Sequence, residues 1–372
     1  MRLLSRRRFI AWLLASGASV WVNAACASLT RKPTSVSPTP TLSEPATAAS
    51  VPGLAGATIV EPPPVRLNAP PEPGRITPND KFYVLKYSPE LPSVDLSLWG
   101  LQVAGLIERT LTLTWNDVMA HPQVEAMRTL ECISNLPGGG LIGNAVWQGI
   151  SLRDLLNEAG VQPSARFVTF EAQDEYYTTV PLERAMDEQA LLVHRMNGEP
   201  LPPEHGFPLR VLLVGVYGQK QPKWISRIVL TDQNEKGYWE KQGWSNVAAI
   251  KVTSRIEAPE EDASLQVGQR VLIAGMAFSG PSGIQRVEVS ADRGQSWQAA
   301  TLVPAPAPSE KTAWTGWYLW WTPSQAGRYL IQSRATDGDG VQQGEEQQRG
   351  ILAGVFPDGT SAIHQVQVSV IG

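Results

Sequence analysis

The chain has 372 residues, 42% of them apolar, which is enough for two folded domains with real cores. Residues 1–26 carry four arginines and no acid; without them 27 basic side chains stand against 35 acidic ones, a net charge of −8. That balance argues against a protein that holds nucleic acid by neutralising phosphates, and the two cysteines, Cys26 and Cys132, leave no disulfide framework.

In chain order, Ser5-Arg6-Arg7-Arg8-Phe9-Ile10 carries the twin-arginine pattern. The apolar run Phe9–Val22 that follows has the length of a signal segment and is short for a membrane span. Ala24-Ala25-Cys26-Ala27 offers two endings, cleavage at a small-residue site or a lipid anchor through Cys26. We read residues 1–27 as a twin-arginine signal peptide, for a chain exported to a periplasmic or other extracytoplasmic location and there free or membrane-tethered. Residues 28–75 are rich in Pro, Ser, Thr and Ala, and we read them as a linker that cannot bury a core of its own.

Residues 76–250 mix short strands and helices. Leu98–Ala104 is predicted as a strand, Thr114 as the cap of a short helix through Met119, and Ser151 as the cap of a helix with Leu152, Leu155 and Leu156 on one face. Phe167–Glu171 and Tyr176–Val180 are expected strands, Pro181 opens a helix, and Leu209–Val214 and Trp224–Leu230 are apolar and β-prone. With no strict strand–helix–strand rhythm, this is an α+β domain and not a doubly wound one. In residues 251–372 the helical signals vanish. Val271–Phe278, Val287–Ser290, Trp297–Leu302, Trp314–Trp321, Arg328–Arg334 and Ile363–Val370 are predicted strands, with a turn at Asp292-Arg293-Gly294. That is the pattern of an all-β, immunoglobulin-like sandwich, with Trp317, Leu319 and Trp321 on one face of a strand and Trp320 on the other.

One constellation carries chemistry. Thr129-Leu130-Glu131-Cys132-Ile133-Ser134-Asn135 runs into Gly138-Gly139-Gly140-Leu141-Ile142-Gly143-Asn144 and then Trp147-Gln148-Gly149. Cys132 has two readings from its residues alone: an inert buried thiol, or a soft thiolate ligand for a redox metal. The glycine-rich stretch is no Walker phosphate cradle, since no Gly-Lys-Ser/Thr follows, and no second cysteine or nearby histidine completes a zinc site. Farther on stand His205-Gly206-Phe207-Pro208-Leu209-Arg210 and Gly218-Gln219-Lys220-Gln221-Pro222-Lys223-Trp224. His205, Arg210, Lys220 and Lys223 are donors able to hold an anion, while Asn135 and Asp174 offer amide and acceptor groups to a polar ring.

The cysteine with an asparagine three residues on, the W-x-G, the H-G-x-P-x-R and the G-x-K-x-x-K-W fall in the order found in the sulfite oxidase family, and the chain resembles that family over most of residues 76–372. The resemblance implies a sulfite-oxidase-type molybdopterin domain followed by an immunoglobulin-like dimerisation domain. It implies a molybdenum–molybdopterin cofactor with Cys132 as metal ligand and catalytic residue. The cofactor-binding residues would be Asn135, Asp174, His205, Arg210, Lys220 and Lys223. No C-x-x-C-H occurs, so an external electron carrier such as a cytochrome is expected, together with a small-molecule substrate and a homodimer.

The chain also departs from the family pattern. Leu136-Pro137 stand where an arginine pair is usual, Leu85-Lys86-Tyr87 replace an R-N-H segment, and Lys241 falls near an expected tyrosine, with Tyr238 close by. Three readings follow: oxidation of a small oxyanion such as sulfite, reduction of an S-oxide or N-oxide on the same cofactor, or a non-catalytic exported binding module.

Overall fold

The computed structural model describes residues 58–60, 67–88, 90–344 and 354–372. The twin-arginine segment, Cys26 and most of the Pro/Ser/Thr-rich stretch lie outside the described residues. No helix among them is long and apolar enough to cross a membrane.

The first half of the body is built on two five-stranded sheets. In one, Gln123–Glu131 pairs with Ile142–Ser151, which pairs with Leu191–Met196, and that strand carries both Glu199–Pro200 and Arg210–Leu212. In the other the order is Leu111–Thr114, Gly100–Gly105, Ile225–Thr231, Phe167–Ala172, Tyr177–Pro181, with Gly100–Gly105 and Ile225–Thr231 parallel. One core joins them: Leu101, Val103 and Phe170 from the second sheet meet Ile150, Leu192 and Val211 from the first. The helix Leu152–Ala159 closes that core with Leu152, Leu155 and Leu156, and its Ser151 cap accepts the Asp154 N–H, as its sequence predicts. At Trp115–Ala120 the predicted Thr114 cap is a full capping box, with Asp117 returning the bond to the Thr114 N–H.

The second half is a two-sheet sandwich. Thr253–Ala258, Val271–Phe278, Thr315–Trp321 and Thr301–Val303 form one sheet, and Ala263–Gln266, His364–Ile371, Gly327–Asp337, Ile284–Ser290 and Gln298–Ala299 the other. Ile256, Ile273 and Trp317 of the first sheet pack against Val287, Ile331 and Val366 of the second. Trp317 is buried and Trp320 exposed, the alternation expected of that strand. The predicted strand Trp297–Leu302 is broken into two short pieces around Ala300.

The folded body starts before Ile76. Pro71 and Gly74 are buried, Arg75 pairs with Glu257, and its carbonyl accepts Trp314 Nε1–H at 2.9 Å. Residues 71–88 thus form a strap that touches both halves before delivering Phe82–Tyr87 to the site described next.

Candidate active site

A recess of about 830 Å³, counting its open mouth, receives segments from across the first half. Phe82, Tyr83, Lys86 and Tyr87 come from the strap, Cys132 and Ser134 from the end of Gln123–Glu131, and Asp174 and Tyr176 from a turn between strands. His205, Arg210, Gln221, Lys223 and Trp224 form another wall, with Trp239 and Trp244 completing the rim.

Cys132 is the free cysteine among the described residues, buried but in contact with the recess. Its N–H donates to the Leu141 carbonyl at 2.9 Å and its carbonyl accepts the Asn135 N–H at 3.0 Å, so both backbone groups are spent on the glycine-rich loop. Sγ lies 3.0 Å from Ser134 Oγ. Burial pushes the thiol pKa up, and the Ser134 hydrogen bonds only partly offset it.

Two cations line the same recess. Arg210 is buried; its guanidinium donates to the His205 carbonyl at 3.1 Å and the Gln221 carbonyl at 3.4 Å, and its Nε has no partner. Lys223 Nζ donates to the carbonyls of Leu85 at 3.0 Å and Glu204 at 2.9 Å, and stacks 4.4 Å over the Trp224 ring. Neither makes an ion pair with a described residue. Burial brings Arg210 down to about 10, and burial with the neighbouring Arg210 brings Lys223 down to about 7. His205, also buried, is lowered to about 4 and stays neutral at ordinary pH, its Nε2–H donating to the Asn79 carbonyl at 3.2 Å.

The H-G-x-P-x-R spacing has a steric reason. Gly206 has φ +112°, and a Cβ there would lie 3.0 Å from Lys223 Cβ and 3.1 Å from Arg210 Cβ. Only glycine lets the backbone pass so close to both cation-bearing residues. Trp224 holds a left-handed φ of 51°, costly for a large side chain, and is fixed on two sides: its Nε1–H donates to Pro203 O at 2.8 Å and its carbonyl accepts Gln173 N–H at 3.0 Å.

Of the residues singled out from sequence, the fold brings Cys132, Asp174, His205, Arg210 and Lys223 together in the recess. Asn135 and Lys220 do not line it. Asn135 is a brace: Nδ2 donates to Glu131 at 2.9 Å and Oδ1 accepts the Leu141 N–H at 3.0 Å. Lys220 is buried with Glu240 at 2.5 Å and also reaches Thr178 and Thr179. Its charge is spent on these buried partners. Lys241 lies at the surface against Tyr177, away from the recess, whereas Lys86 and Tyr87 line it.

Sequence reasoning passed over Tyr83, Tyr176, Trp239 and Trp244, which make one side of the recess aromatic. Tyr83 and Tyr176 have phenol pKa values pushed well above the usual one by burial. Their side chains carry the same signature as core packing, and only the adjacency of Tyr83 to the noted Lys86 segment points toward the site.

Residues 88–239 match the model of an oxidoreductase molybdopterin binding domain, and residues 245–370 that of a Mo-co oxidoreductase dimerisation domain. The chain is 31% identical over 357 residues to mitochondrial sulfite oxidase of Homo sapiens, covering 83% of this chain and 64% of that one. An uncharacterized oxidoreductase, YuiH, of Bacillus subtilis is 35% identical over 175 residues, 46% of this chain and 86% of its own length. The chain spans 54–64% of the length of the mitochondrial sulfite oxidases it matches. The fold is similar to that of the sulfane dehydrogenase SoxCD from Paracoccus pantotrophus, with TM-score 0.66, 23% identity, and coverage of 87% of this chain and 88% of that one.

Proposed function

From the premise that this chain belongs to the sulfite oxidase family, and is therefore an oxidoreductase with a molybdenum–molybdopterin cofactor, we propose that it is an exported oxygen-atom-transfer enzyme. In this reading the cofactor seats between Cys132 and the pair Arg210–Lys223. The observation that carries the reading is one recess lined by the Cys132 thiol, by the buried Arg210 and by Lys223, neither cation making an ion pair with a described residue.

The residues present fit the group. Molybdopterin bears a phosphate, and the buried Arg210 Nε without a hydrogen-bond partner, in a recess it shares with Lys223, suits an anion. The thiol, disfavoured as a thiolate by burial, would be favoured as one beside a metal's charge. Among the described residues no group of three or more His, Cys, Asp or Glu side chains is placed to hold a metal, so Cys132 would hold it as a ligand to a metal carried by the cofactor. When bound, the group supplies two-electron oxygen-atom exchange, restored by single electrons. The protein's own contribution is orientation and exclusion: His205 is held neutral by burial and fixed on Asn79, while Tyr176, Trp239 and Trp244 keep water from one side of the recess.

The substrate of this proposal is a small oxyanion such as sulfite. A second reading, reduction of a neutral S-oxide or N-oxide, is favoured by the side of the recess beyond Cys132. Ile133, Tyr87, Tyr176 and Trp239 line it, and Leu136 packs in the same apolar cluster as Ile133 and Trp239, so this side offers apolar and phenolic surface and no guanidinium group. An external one-electron carrier such as a cytochrome, a homodimer through the second domain, a twin-arginine leader and a lipid anchor through Cys26 complete the proposal.

The deciding measurement is molybdenum per chain for the wild type and Cys132→Ser, both made in a host that supplies the cofactor. Near-stoichiometric metal in the wild type, with lost metal or an altered molybdenum EPR signal in the variant, supports the reading. A folded wild type without molybdenum or pterin removes it and leaves a binding module. Turnover of sulfite with an oxidised acceptor, set against turnover of sulfoxides with a reduced donor, separates the two substrate classes.

A further inference from the structure

The glycine-rich loop after Cys132 is held from outside its own domain. Arg255, on the first strand of the sandwich, donates from Nη1 to the Gly139 carbonyl at 2.8 Å. The His364 ring lies on Gly138, where φ is +77° and an added Cβ would fall 2.1 Å from Nε2. Both side chains are themselves aimed. His364 Nδ1 accepts the Ile256 N–H at 3.0 Å, which leaves the ring proton on Nε2, facing the loop. Arg255 Nη2 pairs with Glu257 at 2.5 Å, and Glu257 also binds Arg75 of the strap at 2.7 Å.

From Gly139 the contacts run back to the cysteine. Gly139 N–H donates to Leu136 O at 2.8 Å, and the Asn135 Oδ1 that receives Leu141 N–H lies so near that a Cβ on Gly139 would meet it at 2.7 Å. Leu141 O in turn receives the Cys132 N–H. Three consecutive glycines have more conformational freedom to lose than any other three residues, so this loop needs an external clamp to hold one shape.

We infer that Arg255 and His364 are positioning residues for Cys132, acting through the loop Asn135–Leu141 to fix where its thiol sits in the recess. The statement about the thiol stands by itself; its bearing on molybdenum rests on the reading of Cys132 as the metal ligand.

The test uses the full-length chain made without cofactor, alkylated with iodoacetamide, with the rate at Cys132 read by peptide mass mapping so that Cys26 does not count. Arg255→Met and His364→Gln are expected to raise that rate about tenfold, because the clamp no longer opposes local opening. Arg255→Lys, which keeps a donor, is expected to restore most of the protection. In the loaded protein, Arg255→Met shifts the molybdenum EPR signal and Arg255→Lys returns it. Ile331→Val, a core change in the sandwich away from the loop, leaves the alkylation rate unchanged. Unchanged alkylation in both Arg255→Met and His364→Gln, or an equal rise in Ile331→Val, overturns the inference. Should Arg255→Met fail to fold, His364→Gln decides alone. A wild type that binds no molybdenum defeats the ligand reading and leaves the alkylation result standing.

Discussion

Lys223 is placed where its charge is least comfortable, and that makes it a probe of the recess. With its ammonium brought down to about 7 by burial and Arg210, its charge fades as pH rises through neutrality in the cofactor-free chain. Anion binding should therefore weaken between pH 6 and 8.5. Sulfate, whose own charge is constant over that range, is the suitable probe, and titration of Lys223→Met should show a flat, weak profile. In the loaded protein the anion stabilises the charged amine, and Lys223→Met should retain molybdenum about tenfold to a hundredfold less well after dialysis, the worth of one charge-assisted hydrogen bond. Equal retention in variant and wild type would show that Lys223 holds no part of the cofactor. Arg210 is expected to matter at least as much, since truncating it leaves the His205 and Gln221 carbonyls buried without their donor.

At the scale of elements, what could be read from the sequence was whatever local rules control. The Thr114 and Ser151 caps, the strand alternation around Trp317, and the turn at Arg293-Gly294, where both residues have positive φ, all follow from a few neighbours. Of the candidate site, Cys132, His205, Arg210 and Lys223 were legible because glycines and spacing mark them. Lys220 was not. Its partner Glu240 lies twenty residues on in sequence, and a buried ion pair made by tertiary packing leaves no local trace. The aromatic side of the recess was illegible for the same reason, since Tyr176, Trp239 and Trp244 would look identical in any core. The W-x-G has a structural reason that sequence alone could not supply. A Cβ on Gly149 would lie 2.0 Å from the Leu192 carbonyl, at the point where the register between Ile142–Ser151 and Leu191–Met196 shifts. Gly149→Ala should cost about 1–3 kcal/mol of stability as the two strands are forced apart. A urea unfolding midpoint equal to that of the wild type would show that the strands can yield.

At the scale of the molecule, buried titratable groups set the response to acid. His205 and His364 are both brought from 6.5 down to about 4, by burial first and then by Arg210 and Arg255 respectively. Between pH 6.5 and 4 the unfolded chain binds protons at these positions that the folded one refuses, so stability falls as the pH drops through that window and the loss is complete below about 4. Glu131, lifted by burial from 4.5 to about 7, pulls the other way between those values. The comparison to make is therefore of slopes: thermal midpoints measured from pH 7 to 4 should fall less steeply in His364→Gln than in the wild type, and parallel lines would show that His364 protonates freely in the fold. The geometry of the recess also imposes an order on biosynthesis. Its walls come from Phe82 through Trp244, and the loop beside its cysteine is clamped by His364, on the last strand of the sandwich. A chain made from its N-terminus has the cysteine long before it has the strand that bears His364, so on our inference the loop takes its held shape only once that strand has paired with Gly327–Asp337 and the sandwich has docked against the loop.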